Sequence, residues 1–338
     1  MSKEKKEEVS AKDILSATIS NVQKKFGKSA IITDQDYFPE VSYLPSGSIG
    51  LDLALNGGYG RGRITEIIGP ESSGKTTMAL HAIASAQEQE AMCAFIDMEH
   101  AIDMSYAEAL GVRRDLLIIC QPDSAEQALG IMEELTRSKQ FAVIVLDSVA
   151  ALVPQAEIEG EMGASHVGLQ ARLMSQAMRK LNSIAMSSNT CLIFINQIRL
   201  KIGVMYGSPE TTSGGLALKF YSSQRLDVRR IATLGGKDDK YGNTTRVKVI
   251  KNKIGPPFKE VEIDIIFGKG IAKTVDLIRV ATKKEVIDKG GAWYSFQGQQ
   301  LGQGETKAAA FLDENPELRD QIRTLVMPSR DKPREPQE

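Results

Sequence analysis

The segment from Gly69 to Thr76 has the residue types and spacing of a phosphate-binding loop. It reads Gly69-Pro70-Glu71-Ser72-Ser73-Gly74-Lys75-Thr76 and satisfies every position of the pattern G-x-x-x-x-G-K-[ST]. In such a loop, backbone N–H groups and the N-terminus of the following helix surround the phosphates of a nucleoside triphosphate. We therefore expect Lys75 to contact the β- and γ-phosphates and the Thr76 hydroxyl to bind Mg²⁺. The strand pattern at 63–68 and the helical pattern at 76–86 supply the context that the motif requires.

Acidic residues follow two further strand patterns. The apolar run 141–146 ends at Asp147, from where a carboxylate reaches Mg²⁺ at the carboxyl edge of a parallel sheet. The run 95–99 places Asp97 and Glu99 at another strand end. The longer side chain makes Glu99 the better candidate for the base that orients and deprotonates water. Asp97 is expected to have a structural role or to contact the ligands of the metal. For these acids, capping of the next helix is the alternative.

Gln197 and two long polar segments form the next group. Gln197 follows the strand pattern 190–196, where an amide either reports the state of the γ-phosphate to the chain after it or bonds to backbone. Segments 157–168 and 198–215 lack apolar periodicity, which predicts functional loops or ordinary surface loops. The second segment contains Arg199, Lys201, Tyr206 and several glycines, a composition suited to a nucleic-acid backbone.

Length and charge restrict the class of protein. The chain has 338 residues, 42% of them hydrophobic, and a formal net charge of −1, which predicts a sizeable core and argues against coating nucleic acid by bulk charge. Any such binding is local, and residues 199–230 carry six basic and two acidic residues, a balance of +4. Three separated cysteines, a charged N-terminus without a signal region and the lack of long apolar runs predict a cytoplasmic protein with reduced thiols and no membrane segment.

The order of strand and helix patterns predicts the fold class. Between residues 63 and 268 short apolar runs alternate with helical patterns, which predicts an α/β core with a mostly parallel central sheet. Later strands at 224–230, 245–252 and 261–267 have no long helices between them and are predicted to be antiparallel additions. An amphipathic helix is predicted from Ser10 to Gly27, and helices and a hairpin beyond about residue 273 predict a small α+β domain. The tail is rich in proline and charge, which is typical of disorder.

Several blocks together resemble the bacterial RecA recombinases over residues 10–327. The matching blocks are the phosphate loop through Thr77, then 95–101, 146–152, 157–181 and 196–230. The resemblance implies four segments: an N-terminal part at 1–36, whose helix and strand near 30–33 dock on a neighbouring subunit, a RecA-like P-loop NTPase core at 37–272, a small C-terminal α+β domain at 273–327 and a disordered tail at 328–338.

The resemblance also implies an activity. With ATP and Mg²⁺, proteins of this family form a helical filament on single-stranded DNA, pair it with homologous double-stranded DNA and exchange strands, and DNA stimulates their ATP hydrolysis. The implied partners are single-stranded DNA, double-stranded DNA, further copies of the chain, and the repressor of the DNA-damage (SOS) response, whose self-cleavage the family stimulates.

Residue roles are carried over by position. Glu99 activates water, Tyr106 stacks on adenine, Asp103 contacts the base, and Gln197 couples the γ-phosphate to the second DNA loop. Residues 157–168 become the first DNA loop and residues 198–212 the second. The residues implied on the primary DNA strand are Arg172, Arg179, Gly214 and Gly215.

The resemblance places Lys251 and Lys253 on the ATP of the adjacent subunit. On the predicted strand 245–252 and its end, side chains at i and i+2 share a face. Two neighbouring ammonium groups have no use in packing, so a phosphate partner across a subunit boundary accounts for them. A solvated basic surface is the alternative.

Some positions depart from the family pattern, and other functions share the phosphate loop. Leu216 stands where a polar residue commonly follows the paired glycines, Val167 stands where Met is common, and the tail is short with mixed charge. A hexameric helicase motor is the main alternative, and it would form closed rings and unwind duplex. A small-molecule kinase would normally carry an arginine-bearing lid, which has no recognisable counterpart in the sequence.

Overall fold

The structure, a computed structural model, describes residues 10–27, 30–31, 41–161, 168–200 and 209–327. The chain divides into two compact units, residues 1–40 and 41–338. Within the described ranges, no helix is long and apolar enough to cross a membrane.

The N-terminal unit contains helix α1, Ala11–Phe26, as the sequence predicts. The Ser10 hydroxyl accepts a hydrogen bond from the backbone N–H of Lys12 at 3.3 Å, which caps the first turn. Gly27 ends the helix at a φ of 95°. The strand expected near residues 30–33 is not present at Ala30 and Ile31, and the rest of that segment lies outside the described residues.

The described strands of the larger unit form a ten-stranded sheet, a two-stranded sheet and a three-stranded sheet near the C-terminus. The two-stranded sheet pairs β1, Tyr43–Leu44, with β2, Tyr59–Gly60. The large sheet contains β3 Ile64–Gly69, β4 Met92–Asp97, β5 Leu117–Cys120, β6 Phe141–Asp147, β7 Cys191–Leu200, β8 Glu210–Thr212, β9 Gln224–Gly235, β10 Lys240–Asn252, β11 Glu260–Ile266 and β12 Gly270–Ile271. Its spatial order is β12-β11-β10-β9-β3-β7-β6-β4-β5, with β8 paired to β7.

Helices cover both faces of this sheet. They are α2 Ile49–Ala54, α3 Lys75–Gln87, α4 Met104–Ala109, α5 Ala125–Arg137, α6 Gln155–Ile158, α7 Leu169–Ser188 and α8 Ala217–Tyr221. Helix α3 packs in one apolar cluster, and α5 and α7 pack in a second. Because both faces are covered, β3 and β6 are buried at every position; β6 is an unbroken apolar run up to Asp147, whereas β3 includes the buried polar residues Thr65 and Glu66.

The mostly parallel sheet predicted from the sequence is confirmed. Strands β4, β6, β7 and β3 pair in parallel, so their carboxyl ends meet at one edge. Strand β10 is antiparallel to both β9 and β11, as expected. The prediction was wrong for β9, which pairs with β3 in parallel. The chain leaves β7 at the carboxyl edge and crosses through α8 to the amino edge, so β9 starts beside Thr65 and runs in the same direction as β3.

The C-terminal elements surround a third apolar cluster. They are α9 Lys273–Lys283, β13 Asp288–Gly290, β14 Trp293–Phe296, β15 Gln299–Gln303, α10 Glu305–Glu314 and α11 Pro316–Val326. The cluster includes half-buried Ile49 and Leu53 from α2, so these elements pack against the core. They belong to the same compact unit as the core, and the division predicted at 272/273 stays a prediction.

Both predicted loops contain regular structure at their ends. Strand β7 continues through Leu200, and β8 pairs with it antiparallel, so residues 198–200 and 210–212 were wrongly predicted as loop. In the first loop, residues 157 and 158 belong to α6. Residues 162–167 and 201–208 lie outside the described residues, and with them Val167, Lys201 and Tyr206.

Candidate functional site

The phosphate loop joins β3 to α3 and is built for close backbone approach. Gly74 is the N-cap of α3 at a φ of 95°, a conformation that residues with a side chain rarely adopt. A Cβ on Gly69 would lie 2.2 Å from the Val228 carbonyl oxygen. These two positions therefore require glycine, which is the physical reason for the motif's two fixed glycines.

Lys75 lies inside this loop with 8% of its surface exposed. Its ammonium donates a hydrogen bond to the Pro70 carbonyl at 2.6 Å. Burial lowers the pKa of Lys75, and the nearby carboxylates of Asp147, Glu99 and Glu71 oppose that shift. A buried cation held by a neutral carbonyl is well suited to an incoming phosphate.

Thr76 and Asp147 meet beside the loop. The Thr76 hydroxyl donates a hydrogen bond to Asp147 Oδ2 at 2.6 Å. Burial raises the pKa of Asp147 to about 6, while the Thr76 hydrogen bond acts in the opposite direction. A hydroxyl and a carboxylate are hard oxygen donors, the type that suits Mg²⁺. Proteins usually bind Mg²⁺ through one or two such side chains together with the phosphates of the substrate. Among the described residues, no group of three or more His, Cys, Asp or Glu side chains is placed to hold a metal ion.

Glu99 is held by two donors at the same sheet edge. Its Oε1 accepts hydrogen bonds from the Ser148 hydroxyl at 2.6 Å and from Gln197 Nε2 at 3.1 Å. Both donors bond to Oε1, so one oxygen anchors the carboxylate and the other is available for a proton. Asp97 differs, because Oδ2 accepts from the Ile102 N–H and Gln121 Nε2 and thereby supports structure.

Gln197 connects this carboxylate to the chain that follows. While its Nε2 donates to Glu99, its Oε1 accepts from Arg199 Nη2 at 2.9 Å. Arg199 is paired with Thr211 of β8, at the base of the second predicted loop. One cavity of about 310 Å³ brings the residues of this edge together. It is lined by Glu71, Ser72, Lys75, Thr76, Glu99, Asp147, Ser148, Ile195 and Gln197.

A neighbouring cavity of about 240 Å³ extends from the phosphate loop toward α4. The Tyr106 hydroxyl lies 3.0 Å from Thr77 Oγ1 at its wall. Asp103 is the N-cap of α4, and its Oδ1 accepts from the N–H groups of Ser105 and Tyr106. The hydrogen bond from the Ser105 side chain is the main reason that the pKa of Asp103 is lowered.

The opposite wall of this cavity was missed by sequence reasoning. Asn243, Thr245, Ile265 and Phe267 line it. Asn243 Oδ1 is buried and has no hydrogen-bond partner among the described residues. These residues come from β10, β11 and the turn after it, more than 160 positions after the loop, and no local pattern marks them.

Lys251 lies on β10, in the neighbouring part of the sheet, and Lys253 follows directly after the end of that strand at Asn252. Lys251 donates to the carbonyls of Lys219 at 2.7 Å and Phe220 at 3.0 Å, and Lys253 donates to Phe220 at 3.2 Å. The shared acceptor shows that both ammonium groups lie on one face. Burial and the charge of Lys253 lower the pKa of Lys251 to about 8. Neither lysine lines the two cavities described above.

The remaining predicted residues surround helix α7. Arg172 and Arg179 are both exposed and lie seven positions apart, which places them on one helix face. Gly214 and Gly215 have positive φ angles of 82° and 78°, and a Cβ on Gly215 would lie 2.8 Å from Ala171 Cβ. The Gly214 N–H donates to Gln170 Oε1 at 3.2 Å, so the paired glycines are held against the start of the helix.

Comparison with known families covers nearly the whole chain. The family model for the RecA N-terminal domain matches residues 13–272, and the model for the RecA C-terminal domain matches residues 275–330. Protein RecA of Citrifermentans bemidjiense is 54% identical over 325 residues, which cover 95% of this chain and 96% of the relative. Protein RecA of Geobacter sulfurreducens is 57% identical over 311 residues, covering 91% and 92%, and Protein RecA of Nocardia farcinica is 58% identical over 314 residues, covering 92% and 90%.

A solved structure supports the fold. The crystal structure of the RadB recombinase superposes with a TM-score of 0.52 at 22% sequence identity, covering 68% of this chain and 98% of that one. At this identity the likeness concerns the fold alone.

Proposed function

The chain belongs to the RecA family and is an ATP-dependent homologous recombinase, and from that premise we propose which of its residues bind ATP, activate water and contact DNA. As a member of this family it is a DNA-dependent ATPase that binds single-stranded DNA as an oligomeric filament and exchanges strands with homologous duplex. The observation that carries the residue assignment is the contact chain Ser148–Glu99–Gln197–Arg199, which runs from the phosphate edge into β7.

In the proposed site, backbone N–H groups of residues 69–77 and Lys75 bind the phosphates. The base and ribose occupy the cavity lined by Tyr106, Asn243 and Phe267. Asp103, the N-cap of the helix that carries Tyr106, is assigned to the base. Thr76 and Asp147 would hold Mg²⁺, which would supply positive charge to offset the charge of the phosphates.

Glu99 Oε2 takes a proton from water as the water oxygen attacks the γ-phosphorus and the bond to the β–γ bridging oxygen breaks. The proton is released to solvent after ADP and phosphate have formed. Throughout, Ser148 and Gln197 hold the other carboxylate oxygen, so the base keeps its orientation. Once the γ-phosphate has left, Gln197 is free to change its contacts. Because Arg199 donates a hydrogen bond to Gln197, that change also shifts Arg199 at the start of the second predicted loop.

Further parts of the proposal rest on family membership. We assign subunit docking to residues 1–36, the ATPase core to 37–272, a C-terminal domain to 273–327 and a tail to 328–338. The filament stimulates self-cleavage of the SOS repressor. The protein acts in the cytoplasm and has no membrane partner.

A strand-exchange assay with ATP, Mg²⁺ and homologous DNA tests the proposed function. We expect joint molecules that depend on homology, together with helical filaments in electron micrographs. Closed rings that unwind duplex without pairing would instead identify a helicase motor.

The double change Lys251→Ala and Lys253→Ala tests the shared ATP site. We expect it to preserve ATP binding by the isolated subunit but to remove DNA-stimulated hydrolysis, because the cations needed at the neighbour's phosphates are lost. Mixing this variant with Glu99→Gln should restore some turnover at junctions that pair an intact Glu99 with intact lysines.

The measurement is ATP turnover across mixing ratios, with co-assembly checked independently by pull-down of differently tagged subunits. Absence of recovery in confirmed mixed filaments would show that each site is complete within one chain.

The DNA surface is tested by the combined change Arg172→Ala and Arg179→Ala, and separately by Arg199→Ala with Lys201→Ala. We expect weaker binding of single-stranded DNA and a flatter dependence of log affinity on log salt, by roughly 0.7 for each DNA phosphate that the variant no longer neutralises. Tyr206→Ala should weaken binding with little change in the salt slope, because stacking releases no counterions. Fluorescence anisotropy over a salt series measures both the affinity and the slope of log affinity against log salt. An unchanged slope in the arginine variants would show that these arginines are ordinary surface residues.

A further inference from the structure

A buried ion pair joins β3 and β9, the two strands that lie between β7, which carries Gln197, and β10, which carries Lys251 and ends directly before Lys253. Glu66 on β3 is fully buried, and Arg225 on β9 is 7% exposed. Arg225 Nε donates to Glu66 Oε2 at 2.5 Å, and the two residues are direct neighbours in the parallel ladder. A buried ion pair does not by itself show that a fold is stabilised. Burying two charges costs their hydration, whereas an apolar pair of similar size packs without that cost. The Glu66–Arg225 pair is therefore better explained by the neighbouring side chains that it holds in place.

Asn196 continues the contact from Glu66 to the second loop. It is fully buried, and its Nδ2 donates to Glu66 Oε1 and to the Ser213 carbonyl, both at 3.1 Å. Ser213 immediately precedes Gly214 and Gly215. The Asn196 Oδ1 accepts from the backbone N–H of Gln197 at 2.9 Å. One buried amide thus holds both the end of the second loop and the backbone of the residue beside Glu99.

Arg225 continues the contact in the other direction. It lies opposite Lys251 in the antiparallel pairing of β9 with β10. Its charge adds to burial and to Lys253 in lowering the pKa of Lys251, while Glu66 acts against that shift. Lys251 in turn bonds to the carbonyls at the end of α8, the helix that starts two residues after the paired glycines.

We propose that Glu66, Arg225 and Asn196, the buried relay, are positioning residues that couple the two nucleotide-facing parts of one subunit. One part is Gln197, beside the subunit's own ATP, and the other is the lysine pair directed at the neighbour's ATP. The end of the second loop is attached to the same relay through Ser213. The proposal rests on the proposed function, because it assumes that the lysines act on the adjacent subunit.

The coupling itself is measurable as a ratio of affinities. Because coupling between two ligands is reciprocal, a non-hydrolysable ATP analogue must raise DNA affinity by the same factor by which DNA raises analogue affinity. For the parent protein we expect a factor of roughly 5–150, measured in both directions with single-stranded oligonucleotide and with ADP as the reference. A purely structural residue would weaken both affinities but leave this ratio unchanged.

The test variant is Glu66→Gln combined with Arg225→Gln, which removes both buried charges together and retains hydrogen-bonding groups. We expect the coupling factor to fall to within about twofold of unity, whereas analogue binding without DNA stays near the parent value. The control is Glu90→Gln with Arg113→Gln, which neutralises an exposed ion pair far from the site and should keep the parent factor.

Asn196→Ala is the second variant, and it tests the buried relay if the double variant does not fold. It leaves the ion pair in place but removes the contacts to Ser213 and the Gln197 N–H, and it should also lower the coupling factor. A folded relay variant that keeps the parent factor overturns the proposal. A parent protein without any coupling would contradict the proposed function instead, so the two failures are distinguishable.

Discussion

Replacing Lys75 with alanine is expected to abolish DNA-stimulated ATP hydrolysis, a loss on the order of 10³ or more. Among the described residues that line the phosphate cavity, Lys75 is the one cation, so its removal withdraws charge stabilisation from the transition state. The fold should persist, because burial already disfavours the charged form of this side chain. The variant should therefore melt close to the parent temperature while failing to form ATP-dependent filaments.

A matched control is Lys139→Ala. Lys139 is exposed and lies just before β6, at the amino edge of the sheet, opposite to the phosphate loop. It should hydrolyse ATP at the parent rate. Normal turnover by a folded Lys75→Ala protein would refute the assignment of the phosphate site.

Replacing Glu99 with glutamine is expected to slow hydrolysis by a factor of roughly 10² or more while leaving ATP and Mg²⁺ binding largely intact. The amide oxygen still accepts from Ser148 and Gln197, so the local geometry is kept, but an amide does not take the proton from water. Filaments on single-stranded DNA should then outlast those of the parent. Single-turnover hydrolysis and filament lifetime after ATP dilution measure the two effects.

Glu134→Gln serves as the control for this change, because Glu134 is an exposed carboxylate on α5, remote from both cavities. It should leave turnover unchanged. If Glu99→Gln hydrolyses ATP within about threefold of the parent, Glu99 has a structural role and another group activates water.

Local patterns determined the parts of this protein that depend on local physics. The phosphate loop is one continuous segment, because its glycines, its lysine and the start of α3 are fixed by backbone geometry over eight residues. Asp147 and Glu99 were predictable because apolar runs ending in an acid mark strand ends, and parallel strands bring such ends to one edge. Helix α1 was predicted within one residue, since its cap and its apolar period lie within one segment.

Only the tertiary structure decided the contacts between distant segments. Nothing in residues 198–200 distinguishes a loop from a strand until β8 supplies the pairing partner, so Gln197 was placed after β7 instead of within it. The direction of β9 depends on where it joins the sheet, and the nucleotide wall at Asn243 depends on β10 and β11 packing beside the loop.

The pairing of Glu66 with Arg225 could not be predicted either, because β9 also carries Asp227, Arg229 and Arg230 and no local pattern shows which charge meets Glu66, the one charged residue of β3. A single charged residue there has no partner within its own segment, and its pairing arises only when β3 and β9 become neighbours. Sequence alone therefore determined most of the elements and the phosphate-loop motif, because both depend on spacing along one segment. The tertiary structure decided how Gln197, Ser213 after the second predicted loop and Lys251 of β10 are connected, because desolvation and partner geometry exist only after the strands have assembled.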